Sequence, residues 1–154
     1  MTRATERGLW HNAPMGVNDT DLAWLAGFID GEGYVKVQRQ VVNGKFYYQP
    51  TIVIRNTHLP TQKHVVKLLN DMGIECHLKG EDRGPHRRSY RVIVTGQEKL
   101  LRCGEAILPH MVTKKEQVAL LVEWCRSRLT SKPKSGYSQR ELEIAKRFRA
   151  INQP

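Results

Sequence analysis

Apolar and polar positions change period several times along this chain, and the changes divide it into elements. Leu22, Leu25 and Ile29, with Trp24 and Phe28, recur at the three-to-four-residue spacing of a helix face. Asn18-Asp19-Thr20-Asp21 ahead of them offers N-cap chemistry, with acids at the positive end of the helix dipole. Two glycines, Gly31 and Gly33, are expected to end this helix through backbone angles that other residues resist. From Tyr34 the period becomes two. Tyr34, Lys36, Gln38 and Gln40 alternate with Val35, Val37 and Val41, while Arg39 interrupts the apolar set. Asn43-Gly44 is a hairpin signal. The return strand sets Phe46, Tyr48, Ile52 and Ile54 against Tyr47, Gln49, Thr51, Val53 and Arg55, and Pro50 marks its early part as an edge or a bulge.

A second helix is predicted from about Thr61 to Met72, with Val65, Val66, Leu68, Leu69 and Met72 as its buried stripe. Next, Ile74, Cys76 and Leu78 alternate with Glu75, His77 and Lys79, in a strand from about Ile74 to Gly80. Glu81 to Arg88 reads as a loop dense in charge, and the following strand sets Tyr90, Val92 and Val94 against Ser89, Arg91 and Ile93. Helices follow over Gly96 to Ile107 and Thr113 to Leu129. After a basic linker, a last helix starts near Ser138 and carries Leu142, Ala145, Phe148 and Ile151 inward. The order helix, hairpin, helix, hairpin, helices predicts an α+β fold: one four-stranded antiparallel sheet with helices on its apolar face. The expected organisation is an N-terminal arm over residues 1–17, a core over 18–130, and a linker and helix over 131–154 packed on the same domain. The arm reads equally as a flexible terminus or a segment lying along DNA.

Composition narrows the partner. The chain has 154 residues, enough for one domain with a sizeable core, and a net charge of +10. That surplus favours a polyanion, most commonly nucleic acid. General solubility or an anionic membrane surface would account for the charge less specifically. No apolar run approaches the roughly 18 residues that span a bilayer, so no membrane insertion is expected. Cys76, Cys103 and Cys125 are odd in number, widely spaced and without a CxxC pair, and the six histidines make no zinc pattern. With no apolar signal region at the N-terminus, an intracellular protein with reduced thiols is expected, in a prokaryotic cytoplasm or an organelle interior.

The chemistry concentrates in Leu25 to Gly33, LAGFIDGEG. This segment resembles the signature of the LAGLIDADG homing endonucleases, with Phe28, Gly31 and Glu32 as ordinary variants, and no second such segment is present. The resemblance implies the αββαββα fold over roughly residues 18 to 129 and divalent-metal-dependent cleavage of long DNA sites. It makes Glu32 a catalytic carboxylate and metal ligand, the Gly31 carbonyl a second ligand, and Asp30 a structural acid. The expected ion is Mg²⁺, with Mn²⁺ or Ca²⁺ able to occupy the same site; such cations take oxygen ligands. Lys114, with Lys115 as second choice, maps onto the family's basic residue, against the plainer reading of a solvated helix start. His58 maps onto a polar pocket position, against that of an exposed turn histidine. A single motif implies a homodimer in which Ala23, Ala26 and Gly27 let two helices meet, although packing within one chain would suit the same strip.

For recognition, the alternation selects Tyr34, Lys36, Gln38, Gln40, Tyr47, Gln49, Thr51, Arg55, His77, Lys79, Ser89 and Arg91 as the face turned to double-stranded DNA. A one-residue slip in register would exchange the faces. Arg87, Arg88 and the basic C-terminal segment are expected on phosphates. Two alternatives share this fold: a maturase that binds intron RNA, and a DNA-binding regulator without catalysis.

Overall fold

The computed structural model describes residues 16–85, 87–131 and 136–152. The expected N-terminal arm lies outside them up to residue 15, as do residues 132–135 of the linker. The elements are α1 (Asp19–Glu32), β1 (Gly33–Val42), β2 (Lys45–Asn56), α2 (Leu59–Asp71), β3 (His77–Asp82), β4 (Arg88–Thr95), α3 (Gln97–Ile107), a 3-10 turn (Leu108–His110), α4 (Lys115–Thr130) and α5 (Gln139–Asn152). The four strands form one antiparallel sheet in the order β1-β2-β4-β3. This is the expected α+β architecture.

Local chemistry accounts for most boundaries. Asn18 caps α1: its Oδ1 accepts from the Asp21 amide at 2.9 Å, and its own amide donates to Asp21 Oδ2 at 3.2 Å. Asn43 and Gly44 both have positive φ, 54° and 78°, as the expected tight hairpin turn requires. Pro50 sits opposite Val37, and β4 begins to pair only at Thr51. The proline therefore lies where β2 has a neighbour on one side only, and the β1–β2 register runs past it without a slip.

Two expectations need correction. The glycines do not end α1 by unusual backbone angles: Gly31 lies inside the helix, and the C-cap Gly33 has φ −92° and ψ 163°. Gly33 answers a need for space instead. A Cβ there would stand 2.7 Å from the Ile29 carbonyl oxygen and 2.8 Å from Ile29 Cγ2. The inward face of α5 is also rotated. Leu142 is exposed, whereas Glu141, Ile144, Ala145 and Phe148 are buried.

The core lies between the sheet and the helices. Leu25 and Ile29 of α1, Ile52 and Ile54 of β2, and Val92 and Val94 of β4 meet Leu100, Ile107, Leu121 and Trp124, all buried. At the β1–β2 end an aromatic trio closes the layer: Tyr48 meets Trp124 and Tyr137 edge-on, and Trp124 stacks on Tyr137. The cysteines are free thiols, and burial pushes Cys103 and Cys125 up to about 12.

Glu141 is the buried acid that holds α5. Its carboxylate accepts from Ser127 Oγ at 2.8 Å, the Ser138 amide at 2.8 Å and Arg128 at 3.3 Å, while its amide donates to Ser138 Oγ at 3.1 Å. Burial raises its pKa, and the hydrogen bonds and Arg128 together outweigh that and leave it below the ordinary carboxylate value. Its contribution to stability is therefore complete above the unfolded carboxylate pKa and is lost as pH falls through the lowered one. Glu141→Gln should destabilise the chain by about 1–3 kcal/mol at neutral pH, read as a lower thermal midpoint, and the gap to wild type should shrink in acid.

Candidate active site and nucleic-acid face

The C-terminal end of α1 presents Asp30, Gly31 and Glu32, and the two acids behave differently. Asp30 turns back into the fold: Oδ2 accepts from the Val112 amide at 2.8 Å and Oδ1 from the Lys114 amide at 2.9 Å. Lys114 Nζ in turn donates to the Asp30 carbonyl at 2.5 Å. Lys114 is thus tied to Asp30 at both its backbone and its side chain, while exposed Lys115 opens α4. Glu32 is exposed, and among the described residues no cation stands within ion-pair distance of it.

This donor set suits a hard cation. The Ile29 carbonyl is taken by the Gly33 amide and the Asp30 carbonyl by Lys114, so the Gly31 carbonyl is the next oxygen at the negative pole of the helix. One carboxylate and one carbonyl match the sparse protein ligation typical of Mg²⁺. Among the described residues no three of His, Cys, Asp and Glu gather into a site. An ion here would draw its remaining oxygens from water or a phosphodiester.

His58 stands near by topology, because Gly33 pairs with Ile54 and β2 therefore leaves the sheet at the end where Glu32 enters it. The side chain also has a local structural part. His58 is the N-cap of α2: Nδ1 lies 2.6 Å from Thr61 Oγ1 and accepts from the Thr61 amide at 3.3 Å. With Nδ1 engaged by Thr61, Nε2 is the ring nitrogen left for an outward hydrogen bond.

The small-residue strip on α1 is also redrawn. Ala26 is fully buried in the chain's own core and cannot meet another chain. Ala23 and Gly27 are exposed, and Gly31 continues their line at the same spacing. A Cβ at Gly27 or Gly31 would meet nothing within 4 Å. Beside this strip Trp24 stacks on Phe28 at 5.1 Å and meets His64 edge-on at 5.0 Å.

The pairing register brings all twelve recognition candidates to the sheet face away from the core. Lys36 faces Thr51, Gln38 faces Gln49, Gln40 faces Tyr47, and Arg55 and Lys79 both face Arg91. Tyr34, Gln38, Tyr47, Gln49, His77 and Lys79 are exposed, and Lys36, Gln40, Arg55 and Arg91 are partly so. Thr51 and Ser89 are not free readers, since each is only 7% exposed. Short side chains on this face sink between longer neighbours.

An acid on this face escaped the sequence reading. β3 runs on to Asp82, so Glu81 lies in the strand on the face of Lys79 and His77. Its carboxylate is 2.6 Å from Arg55, 3.2 Å from Arg83 and 3.6 Å from Arg91. Burial pulls the Glu81 pKa up, but Arg91, Arg55 and Arg83 outweigh it and hold it below the ordinary carboxylate range. Arg88, expected on a phosphate, pairs with Asp82 at 3.0 Å. Continued alternation from Lys79 was the signal that could have found Glu81.

The LAGLIDADG-like domain model matches residues 19–108. Among solved structures, the homing endonuclease I-CvuI, in complex with its target in the presence of Ca, aligns with 88% of this chain and 83% of its own. Its TM-score is 0.67 and its identity 18%. The archaeal intron-encoded homing endonuclease I-Vdi141I, complexed with DNA, aligns over 86% and 98%, with TM-score 0.59 and 17% identity. The meganuclease I-SmaMI, bound to DNA, aligns with 88% of this chain but only 46% of its own, at TM-score 0.63 and 15% identity. At these identities the likeness establishes the fold. No curated protein matches the chain in sequence.

Asp30→Asn should leave one of the two amides facing an NH₂ group. We expect faster hydrogen exchange at the Val112 and Lys114 amides and a loss of about 1–3 kcal/mol in stability. Unchanged protection at both amides would contradict the clamp.

Proposed function

The chain belongs to the LAGLIDADG-like domain family, and from that premise we propose that it is a homodimeric, site-specific homing endonuclease that makes double-strand breaks in long, pseudo-palindromic DNA sites. The observation that carries this reading is the division of labour between the two acids of the motif. Asp30 is consumed in holding Lys114, while Glu32 stands exposed two residues away, with no ion-pair partner among the described residues.

Glu32 and the Gly31 carbonyl are the residues that would hold Mg²⁺. Such an ion, when bound, supplies an activated water and neutralises charge on the attacking and leaving oxygens. Lys114, fixed beside the motif by Asp30, places an ammonium donor where a phosphodiester would gain negative charge. His58 offers Nε2 and serves to orient a water or a phosphate oxygen. The polar sheet face lies in the major groove, where Gln38, Gln40 and Gln49 suit adenine and Arg55, Arg91 and Lys79 suit guanine.

One motif gives one carboxylate, so cleavage of both strands calls for a second copy. The open strip of Ala23, Gly27 and Gly31 supports helix-to-helix approach across a two-fold axis, with Gly31 taking the place first assigned to Ala26.

Two experiments test the reading. Incubated with a library of duplexes and Mg²⁺, wild type should cut a subset of them, and Glu32→Gln should bind the same subset without cutting. A wild type that binds structured RNA and never cuts DNA overturns the endonuclease assignment. In the second, Gly27→Leu adds a side chain that meets open space in the single chain and removes a helix glycine, so the monomer should gain about 1 kcal/mol. If α1 packs on its copy, the same variant should sediment as a monomer where wild type is a dimer.

A further inference from the structure

We propose that the cleft between β1 and α5 is a second anion site, built to grip a backbone phosphate of the bound DNA beyond the base-reading face. This proposal rests on the DNA-binding reading and extends it to the C-terminal helix. The cleft, of about 330 Å³, wraps the free edge of β1. Lys36 enters from the outer face of the sheet, Arg39 from the inner face and Arg149 from α5, above a floor that includes Ala145 and Phe148. Among the described residues no Asp or Glu lines it, and none of the three cations has an acidic partner.

Two of the cations are steered by aromatic rings instead. Arg39 lies over the Phe46 ring at 4.6 Å and Lys36 over the Tyr34 ring at 5.7 Å. A ring orients a cation without cancelling its charge, whereas a carboxylate does both. The contrast with the opposite side of the sheet is direct. There Arg55, Arg83 and Arg91 share Glu81 and Arg88 holds Asp82, so much of the local charge is spent within the protein. At the β1 edge it is left available. The negative pole at the end of α5 opposes an anion weakly against three whole charges. At about 30 Å³ per water, the cleft admits a phosphate group with several waters around it.

A phosphate contact contributes affinity and salt dependence but no sequence information. Arg149 is exposed near the end of a helix, so Arg149→Gln should fold as wild type does. Binding of the preferred duplex and of unrelated duplexes is measured across a salt series for wild type, Arg149→Gln, Arg39→Gln and the control Lys63→Gln, exposed on α2. Arg149→Gln and Arg39→Gln should each weaken all duplexes several-fold and alike, and should lower the slope of log K against log salt by about one for each copy of the chain on the duplex. Lys63→Gln should change neither. Unaltered affinity and slope in both cleft variants would overturn the proposal. So would inorganic phosphate, titrated onto DNA-free protein, binding wild type and not Arg149→Gln while DNA binding stays equal. That result would assign the cleft to a free anion. If wild type binds no DNA, the functional reading fails as a whole, and that outcome is distinct from a cleft that fails alone.

Discussion

The carboxylate of Asp30 is the constraint on which the candidate site depends. Residues 82 and 84 positions away meet it because two backbone amides, of Val112 and Lys114, point at its two oxygens. Hydrogen bonds to a charged acceptor each contribute about 1.5–3 kcal/mol, more than neutral pairs. The returning contact from Lys114 Nζ to the Asp30 carbonyl fixes the side chain as well as the turn that carries it. Preorganisation of this kind is what lets a lysine act on developing charge without first being moved into place. The same clamp occupies the Asp30 carbonyl, so the last turn of α1 is left with the Gly31 carbonyl and the Glu32 carboxylate as its outward oxygens. One acid is spent so that the other can be presented in a defined setting.

The sheet distributes charge in a complementary way. Its β3–β4 side carries guanidinium groups held in a cluster around Glu81, which fixes their orientation and lowers their net field. Under the proposed function, base reading would need that orientation more than raw attraction, because discrimination comes from where the donors point. The β1 edge carries cations oriented by rings and left at full charge. The +10 surplus of the chain is thus not spread as a uniform coat. Part of it is tied down for geometry and part is kept free for attraction.

Much of this was legible in the residues. Period-two runs placed all twelve face residues on one side, and the Asn-Gly turn anchored the register that makes that alternation meaningful. Alternation alone does not report depth. Thr51 and Ser89 point the right way yet are buried, because a short side chain on a crowded central strand lies below its neighbours. Gly80, Glu81 and Asp82 are poor strand formers, so the sequence read as loop where pairing to Tyr90, Ser89 and Arg88 extends β3. On α5 an acid replaced a leucine in the core because four hydrogen-bond contacts await it, and no hydropathy pattern encodes those partners. The need for glycine at position 33 comes from a clash with Ile29 rather than from a backbone angle, and no local pattern encodes it.

The same limit applies to α1, and there the structure is more informative than the motif. A helix that served only its own core would be apolar on one stripe and polar elsewhere. Leu22, Leu25, Ala26 and Ile29 form such a stripe, fully accounted for by burial within the chain. Ala23, Trp24, Gly27 and Phe28 lie off it and are apolar or nearly side-chain-free all the same, with Trp24 39% exposed. General solubility would favour charged residues at these positions, and helix propensity would disfavour two glycines in the last two turns. Both costs run against the single chain. They become consistent when the second face has its own backbone to meet, because glycine sets the distance of closest approach between helices. The strip therefore divides by burial, with Ala26 in the chain's own core and Ala23, Gly27 and Gly31 left open for the partner helix proposed above. The proposed seam would lie on the helix whose end presents Glu32.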